Sequence, residues 1–253
     1  MTTYNKDFYD SYRVASHLSA SLYLGEIFKA VQPRSLLDVG CGVGTWLRAA
    51  KELGIADVYG VDGDYVKPDQ LEIEHHLFKP HDLTKSLDLG RKFDIAISME
   101  VGEHLPEAFS DKLVDSLTKH ADIILFSAAI PHQGGTDHIN EQWPDFWASK
   151  FESRGYVAID FTRPRLWNEN RIDYYYIQNG FLYVKPDILN KIPGLSQCQI
   201  PSTNWSMRAV HPVKWAGANN PKFATLRFAG PAFFNALPKA IGRRLGRLFG
   251  KGF

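Results

Sequence analysis

Cysteine is scarce in this chain of 253 residues, which has only Cys41 and Cys198. Two thiols, one of them inside a glycine-rich loop, make neither a disulfide framework nor a cysteine-based metal site. The expectation is a reducing, cytoplasmic setting. Long apolar runs are also missing, and none approaches the ~20 residues that a membrane-spanning helix needs. The opening MTTYNKDFYD is polar, acidic and aromatic, which is not the pattern of a secretory signal. No internal repeat is visible. Carboxylates are absent after Asp187, whereas residues 188–253 hold ten of the 29 basic residues, among them Lys239, Arg243, Arg244, Arg247 and Lys251. The net charge of +1 therefore divides into +10 for that stretch and −9 for residues 1–187. Two kinds of surface follow, and with them two expected parts: a domain over 1–187 and a basic extension over 188–253.

The 44% hydrophobic and 23% charged residues are those of an ordinary globular protein with one large domain and an addition. Ser16 to Val31 reads as a helix, with Leu18, Leu22, Ile27 and Val31 on one face, stopped before Pro33. Strands are expected at 35–39, 57–61, 93–98, 121–127, 156–161 and 174–184, and helices at 45–53, 106–119 and 141–154. Strand and helix alternating at this spacing predict an α/β fold with a largely parallel sheet covered on both faces. The last two strands have no convincing helix between them and are expected as an antiparallel pair at the sheet edge.

Residues Leu36 to Leu47 read LLDVGCGVGTWL. A short apolar strand runs into Asp38, then into Gly40, Gly42 and Gly44, then into a helix start. Glycine lets the backbone turn sharply and leaves a ligand room to lie against the main chain. The spacing is G-x-G-x-G rather than G-x-G-x-x-G. Asp38 would repel a pyrophosphate but suits a ligand that carries an ammonium group. Asp62 ends the second strand, where a carboxylate can accept both hydroxyls of a ribose. Asp82, in His81-Asp82-Leu83 near the end of a short third strand, could accept an adenine amino group.

Over residues 33–185 this pattern resembles the class I S-adenosylmethionine-dependent methyltransferases. The resemblance implies a Rossmann-like, seven-stranded, mostly parallel sheet with a late antiparallel strand. It places the loop from Asp38 to Gly44 beside the methionine moiety, Asp62 at the ribose and Asp82 at the adenine amine, with Leu83 and Met99 as further cofactor contacts.

The fourth strand leads into Glu100-Val101-Gly102-Glu103-His104, an E-x-x-E-H pattern at the edge where open α/β sheets bind ligands. Such a segment can shape a pocket wall. It can also contribute ligands to a divalent metal, since carboxylates and imidazole are suitable donors. His132 and His138 follow the next strand on a loop, where Asp137 or Asn140 could cap a helix that begins near Glu141. A similar set coordinates a metal in small-RNA 3′-terminal 2′-O-methyltransferases, and by that resemblance Glu100, Glu103, His104 and His138 would be the ligands. Without a metal, an acceptor hydroxyl needs a base, and His138 is the first choice, then His104 and His132.

Trp143, Phe146, Trp147, Trp167 and Tyr174 to Tyr176 are read chiefly as core, though such residues also suit sugar faces. Tyr9, Tyr12 and Arg13 could form a lid over the cofactor. The segment 232–253 has the pattern of a basic amphipathic helix, suited to an anionic membrane surface or to docking on the chain's own acidic part, with nucleic acid ranked below both. The expected activity is O-methylation of a sugar or other small metabolite, within polysaccharide biosynthesis. Metal-dependent 2′-O-methylation of an RNA end, or a catalytically silent cofactor-binding subunit of a glycan assembly, are the alternatives.

Overall fold

The computed structural model describes residues 6–219, with side chains for 14–217. The chain divides into two compact units between Ala209 and Val210. In the first unit, β1 (Ser35–Val39), β2 (Asp57–Asp62), β3 (Phe78–Pro80), β4 (Ile95–Met99), β5 (Ile123–Ser127), β6 (Val157–Ile159), β7 (Phe181–Val184) and β8 (Gln199–Ile200) form one sheet. Their order is β3-β2-β1-β4-β5-β7-β6-β8. Strands β1 to β5 pair in parallel, β7 runs antiparallel to both β5 and β6, and β8 runs antiparallel to β6. The expected mostly parallel sheet with a late reversed strand is present, and the sheet continues past residue 187 through the eighth strand.

Alternation along the strands builds two cores. Leu36, Ile95, Ile97, Leu125, Leu182 and Val184 face one way, onto α1 (Lys6–Phe28) and α2 (Thr45–Glu52). Leu37, Ala96, Ile124, Phe126, Phe181 and Tyr183 face the other, onto α3 (Ser110–His120) and α4 (Pro144–Glu152). A side-chain period of two on strands buried on both faces produces this division.

Helix α1 starts ten residues before the expected Ser16. Its buried face is Ala20, Tyr23, Leu24 and Ile27, and Leu18, expected on that face, is exposed. Helix α4 starts at Pro144 rather than Glu141, because proline fits the first helical position, where no N–H is needed. Asn140 does not cap it; its amide donates to Gly102 O (3.3 Å) and Ser110 Oγ (3.2 Å) instead.

The expected strand 174–184 is a strand only from Phe181. Residues Tyr174–Asn179 are helix α6, and Arg163–Leu166 form a short α5 before it. Tyr176 packs edge-on against Trp46 of α2 (ring centroids 5.0 Å apart), and tertiary packing decides the helix there. Trp147 and Tyr176 are buried, as a core reading requires.

The second unit contains one described helix, Pro212–Asn219. The segment 232–253 lies outside the described residues, and so do the side chains of Tyr9, Tyr12 and Arg13. Among the described residues no helix is long and apolar enough to cross a membrane.

Candidate active site

The loop after β1 is fastened to the end of β2. The N–H groups of Gly40 and Cys41 donate to Val61 O at 2.7 and 3.2 Å. Gly40 has φ 86°, and a Cβ there would collide with the Val101 methyls. Gly42 also has positive φ, but nothing lies within 4 Å of where its Cβ would stand. One glycine is required by packing; the other leaves an open face. Gly44 closes the loop, donating to Cys41 O at 2.9 Å, at the start of α2.

Asp62 organises the far side. Its Oδ2 accepts the Gly42 N–H at 2.6 Å, and its Oδ1 accepts the Gly63 N–H at 2.6 Å and the Tyr65 hydroxyl. Asp38 and Asp62 are both buried. Burial, then the neighbouring Asp62 charge, holds the Asp38 carboxyl well above the usual carboxylate range. Two carboxylates buried together favour a ligand that brings positive charge. Beyond Asp62 a cavity of about 530 Å³ is lined by Tyr65, Pro80, Asp82, Leu83 and Leu105. Asp82 stands at its exposed rim, where Oδ1 accepts the N–H and hydroxyl of Thr84 at 3.0 and 2.6 Å. Those bonds, the hydroxyl's first, lower its pKa. Met99 is buried at the end of β4, its sulfur 3.9 Å from the Ser127 hydroxyl. The fit to a sulfonium nucleoside is good: an open main-chain cradle, two buried carboxyl groups and an adjoining cavity with a third.

The ends of β4 and β5 carry the second half of the site. Glu100 takes up a left-handed conformation, φ 57°, with its N–H directed to the Ser127 carbonyl and hydroxyl, both at 3.0 Å. Its carboxylate accepts the amides of Gln133 (2.8 Å) and Asn179 (3.0 Å). Burial raises its pKa, against the effect of these hydrogen bonds.

Glu103 lies on the turn Gly102–His104 and is fully buried, with neither carboxylate oxygen hydrogen-bonded. Burial, followed by the Glu100 charge, pushes its pKa up to about 9. One ligand atom each from Glu103, His104 and His138 come within 4.8 Å of one another. The two imidazoles meet edge-on, centroids 4.8 Å apart. Partial burial, then His138, lowers the His104 pKa. These three residues fit a divalent ion, and the orphaned carboxylate is the strongest sign of one.

Glu100, expected as a fourth ligand, is not one of these three; its oxygens accept the amides of Gln133 and Asn179. His132 also stands apart: it is exposed, and its N–H donates to Glu141 Oε2 at 2.7 Å. Sequence reasoning missed four residues: Tyr65 on Asp62, Gln133 and Asn179 on Glu100, and Glu141 on the histidine loop. Only Glu141 left a trace, its spacing of three from His138.

A family model described as a methyltransferase domain matches residues 12–167. The chain belongs to this family and is a class I methyltransferase, a class whose methyl donor is S-adenosylmethionine. No curated protein matches it. Among solved structures, DesVI of Streptomyces venezuelae is similar over 71% of this chain and 97% of its own, at 16% identity and a TM-score of 0.52. The sugar N-methyltransferase KedS8 of a Streptoalloteichus species is similar over 73% of this chain and 96% of its own, at 14% identity and a TM-score of 0.53. At such identities the likeness is one of fold.

Proposed function

We propose that this methyltransferase acts on a hydroxyl of a sugar or a related small metabolite, with His138 as the base. S-adenosylmethionine, when bound, supplies an electrophilic methyl group on a sulfonium. The loop from Asp38 to Gly44 and Asp62 would hold it, with Asp82 and Leu83 in the adjoining cavity. The acceptor oxygen must then be aligned with the methyl and relieved of its proton. With the methyl donor bound, His138 would take that proton as the methyl passes from sulfur to oxygen, leaving S-adenosylhomocysteine, and would later return it to water.

The observation that supports this reading most is the His138 ring beside Glu103 and His104, with Glu141 behind it at 3.2 Å. Acceptor specificity would come from the polar wall of Glu100, Gln133 and Asn179, and from Tyr174, whose hydroxyl is raised by burial and then by the Glu100 charge. Such a wall suits a polyhydroxylated acceptor. KedS8, which shares the fold, is a sugar methyltransferase acting on nitrogen.

The test is S-adenosylhomocysteine release with nucleotide-sugar and glycan fractions as acceptors, the product's methylated atom being assigned by NMR. Turnover lost in His138→Ala, with cofactor binding kept, is expected. Cofactor binding without turnover on any fraction would overturn this reading in favour of a silent subunit. Methylation confined to RNA 3′ ends would overturn the acceptor class.

A second reading has its own support. The unpartnered Glu103 carboxylate, His104 and His138 would hold a divalent ion, which would supply Lewis acidity toward the same hydroxyl. Metal analysis before and after chelation, with Glu103→Gln as the control, decides between the two roles of His138.

A further inference from the structure

The loop between β5 and α4 turns around a single carboxylate. Glu141 Oε1 accepts the Gly134 N–H at 2.9 Å and His138 Nδ1 at 3.2 Å, while Oε2 accepts the His132 N–H at 2.7 Å. Two residues of this loop, His132 and Asp137, have left-handed backbone at φ 65° and 58°. Such conformations persist only where surroundings impose them. The foot of the loop is fastened separately, through the N–H groups of Ile139 and Asn140 on Glu103 O at 2.9 and 3.0 Å. The foot therefore sets where His138 begins, and Glu141 sets how its ring is turned.

We infer that Glu141 is a positioning residue that holds neutral His138 in its Nδ1–H form and leaves the Nε2 lone pair for the reaction. A carboxylate only accepts, so the ring nitrogen facing it carries the proton. The other nitrogen then has no proton and can act as base or as metal donor. The His138 side chain is 12% exposed and that of Glu141 21%, so solvent competes little for the bond. A carboxylate behind an imidazole also stabilises the imidazolium that forms on proton transfer. This inference rests on the proposed role of His138, but the tautomer arm of its test needs neither donor nor acceptor.

Long-range proton–nitrogen NMR on the whole chain reads the tautomer directly. Wild-type His138 above pH 8 is expected with its proton on Nδ1, and Glu141→Ala is expected to move the population to the Nε2–H form that an unrestrained imidazole favours. A wild-type ring protonated on Nε2 overturns the inference whether or not any variant folds. So does a Glu141→Ala ring that keeps its proton on Nδ1. Glu141→Gln, whose carbonyl can still accept, is expected to keep the Nδ1–H signature while kcat falls about tenfold with cofactor affinity unchanged. Loss of that signature in Glu141→Gln, or an unchanged kcat, counts against it. Were no acceptor ever turned over, the proposed function would fail while the tautomer result stood.

Discussion

Tyr65 donates its hydroxyl to Asp62, the carboxylate on which the Gly42 and Gly63 N–H groups also converge. A carboxylate offers about four acceptor sites, and three are taken. A ribose diol needs two. Tyr65 is 69% exposed, so on the proposed role of Asp62 its hydroxyl would compete with the nucleoside for that carboxylate.

Tyr65→Phe is therefore expected to tighten S-adenosylhomocysteine binding by several-fold to about tenfold, because a hydrogen bond to a charged group no longer has to be broken. Asp62→Ala is expected to weaken binding by at least about tenfold. Titration calorimetry measures both, and weaker binding by Tyr65→Phe would show that the hydroxyl assists the ligand.

Gly40→Ala and Gly42→Ala should part company. The first meets the Val101 methyls and a left-handed backbone, for an expected loss of about 2–4 kcal/mol of stability. The second meets no protein atom and should cost roughly 1 kcal/mol, yet abolish cofactor binding. Thermal melts beside calorimetry separate the two; a Gly42→Ala protein that binds normally would contradict the open-cradle reading.

Glu103 gives the ligand-free protein a pH signature. An acid whose pKa is raised by folding binds its proton more tightly in the native state, so its contribution is complete below about pH 4.5 and is lost as pH rises toward about 9. Melting temperature should fall across that window, and Glu103→Gln should flatten the slope. A divalent ion at the site should displace the proton and release it to the buffer. An equal slope in Glu103→Gln would assign the effect elsewhere.

Cys41 should resist alkylation in the native state. Burial, then the charges of Asp38 and Asp62, push its thiol well above the ordinary range, and only the thiolate reacts. Mass spectrometry after brief iodoacetamide treatment at neutral pH is expected to find the adduct on the part-exposed Cys198 first.

The turn proposed to hold the cofactor was legible because its signals are local. Asp38, Gly40, Gly42 and Gly44 encode one turn by their spacing, and Asp62 ends the strand beside it. The other half of the site is assembled across sequence distance. Glu100 meets Asn179, and Glu103 meets His138, only after the sheet has formed. No local pattern announces that Gln133 will accept from Asn179, or that Glu141 will turn back onto the loop before it. Residues Tyr174 to Asn179 misled for a related reason: strand propensity is mostly a statement about packing, and Trp46 supplied a helical alternative.

The reversal of β7 brings the beginning of a strand to the edge where its neighbours end. Asn179 enters the Glu100 wall from a connection running from Leu166 to Gly180, whereas β7 itself is held in register by β5 and β6. Residues could be inserted in the exposed part of that connection, Asn168 to Arg171, ahead of the buried Ile172 and α6, without shifting the sheet. The glycine loop has no such freedom, since Gly40 and Cys41 are tied to β2. On the proposed assignment, evolution could thus remodel the acceptor wall by changing loop length while the donor wall stays under a fixed spacing, and acceptor choice could drift without loss of the methyl donor.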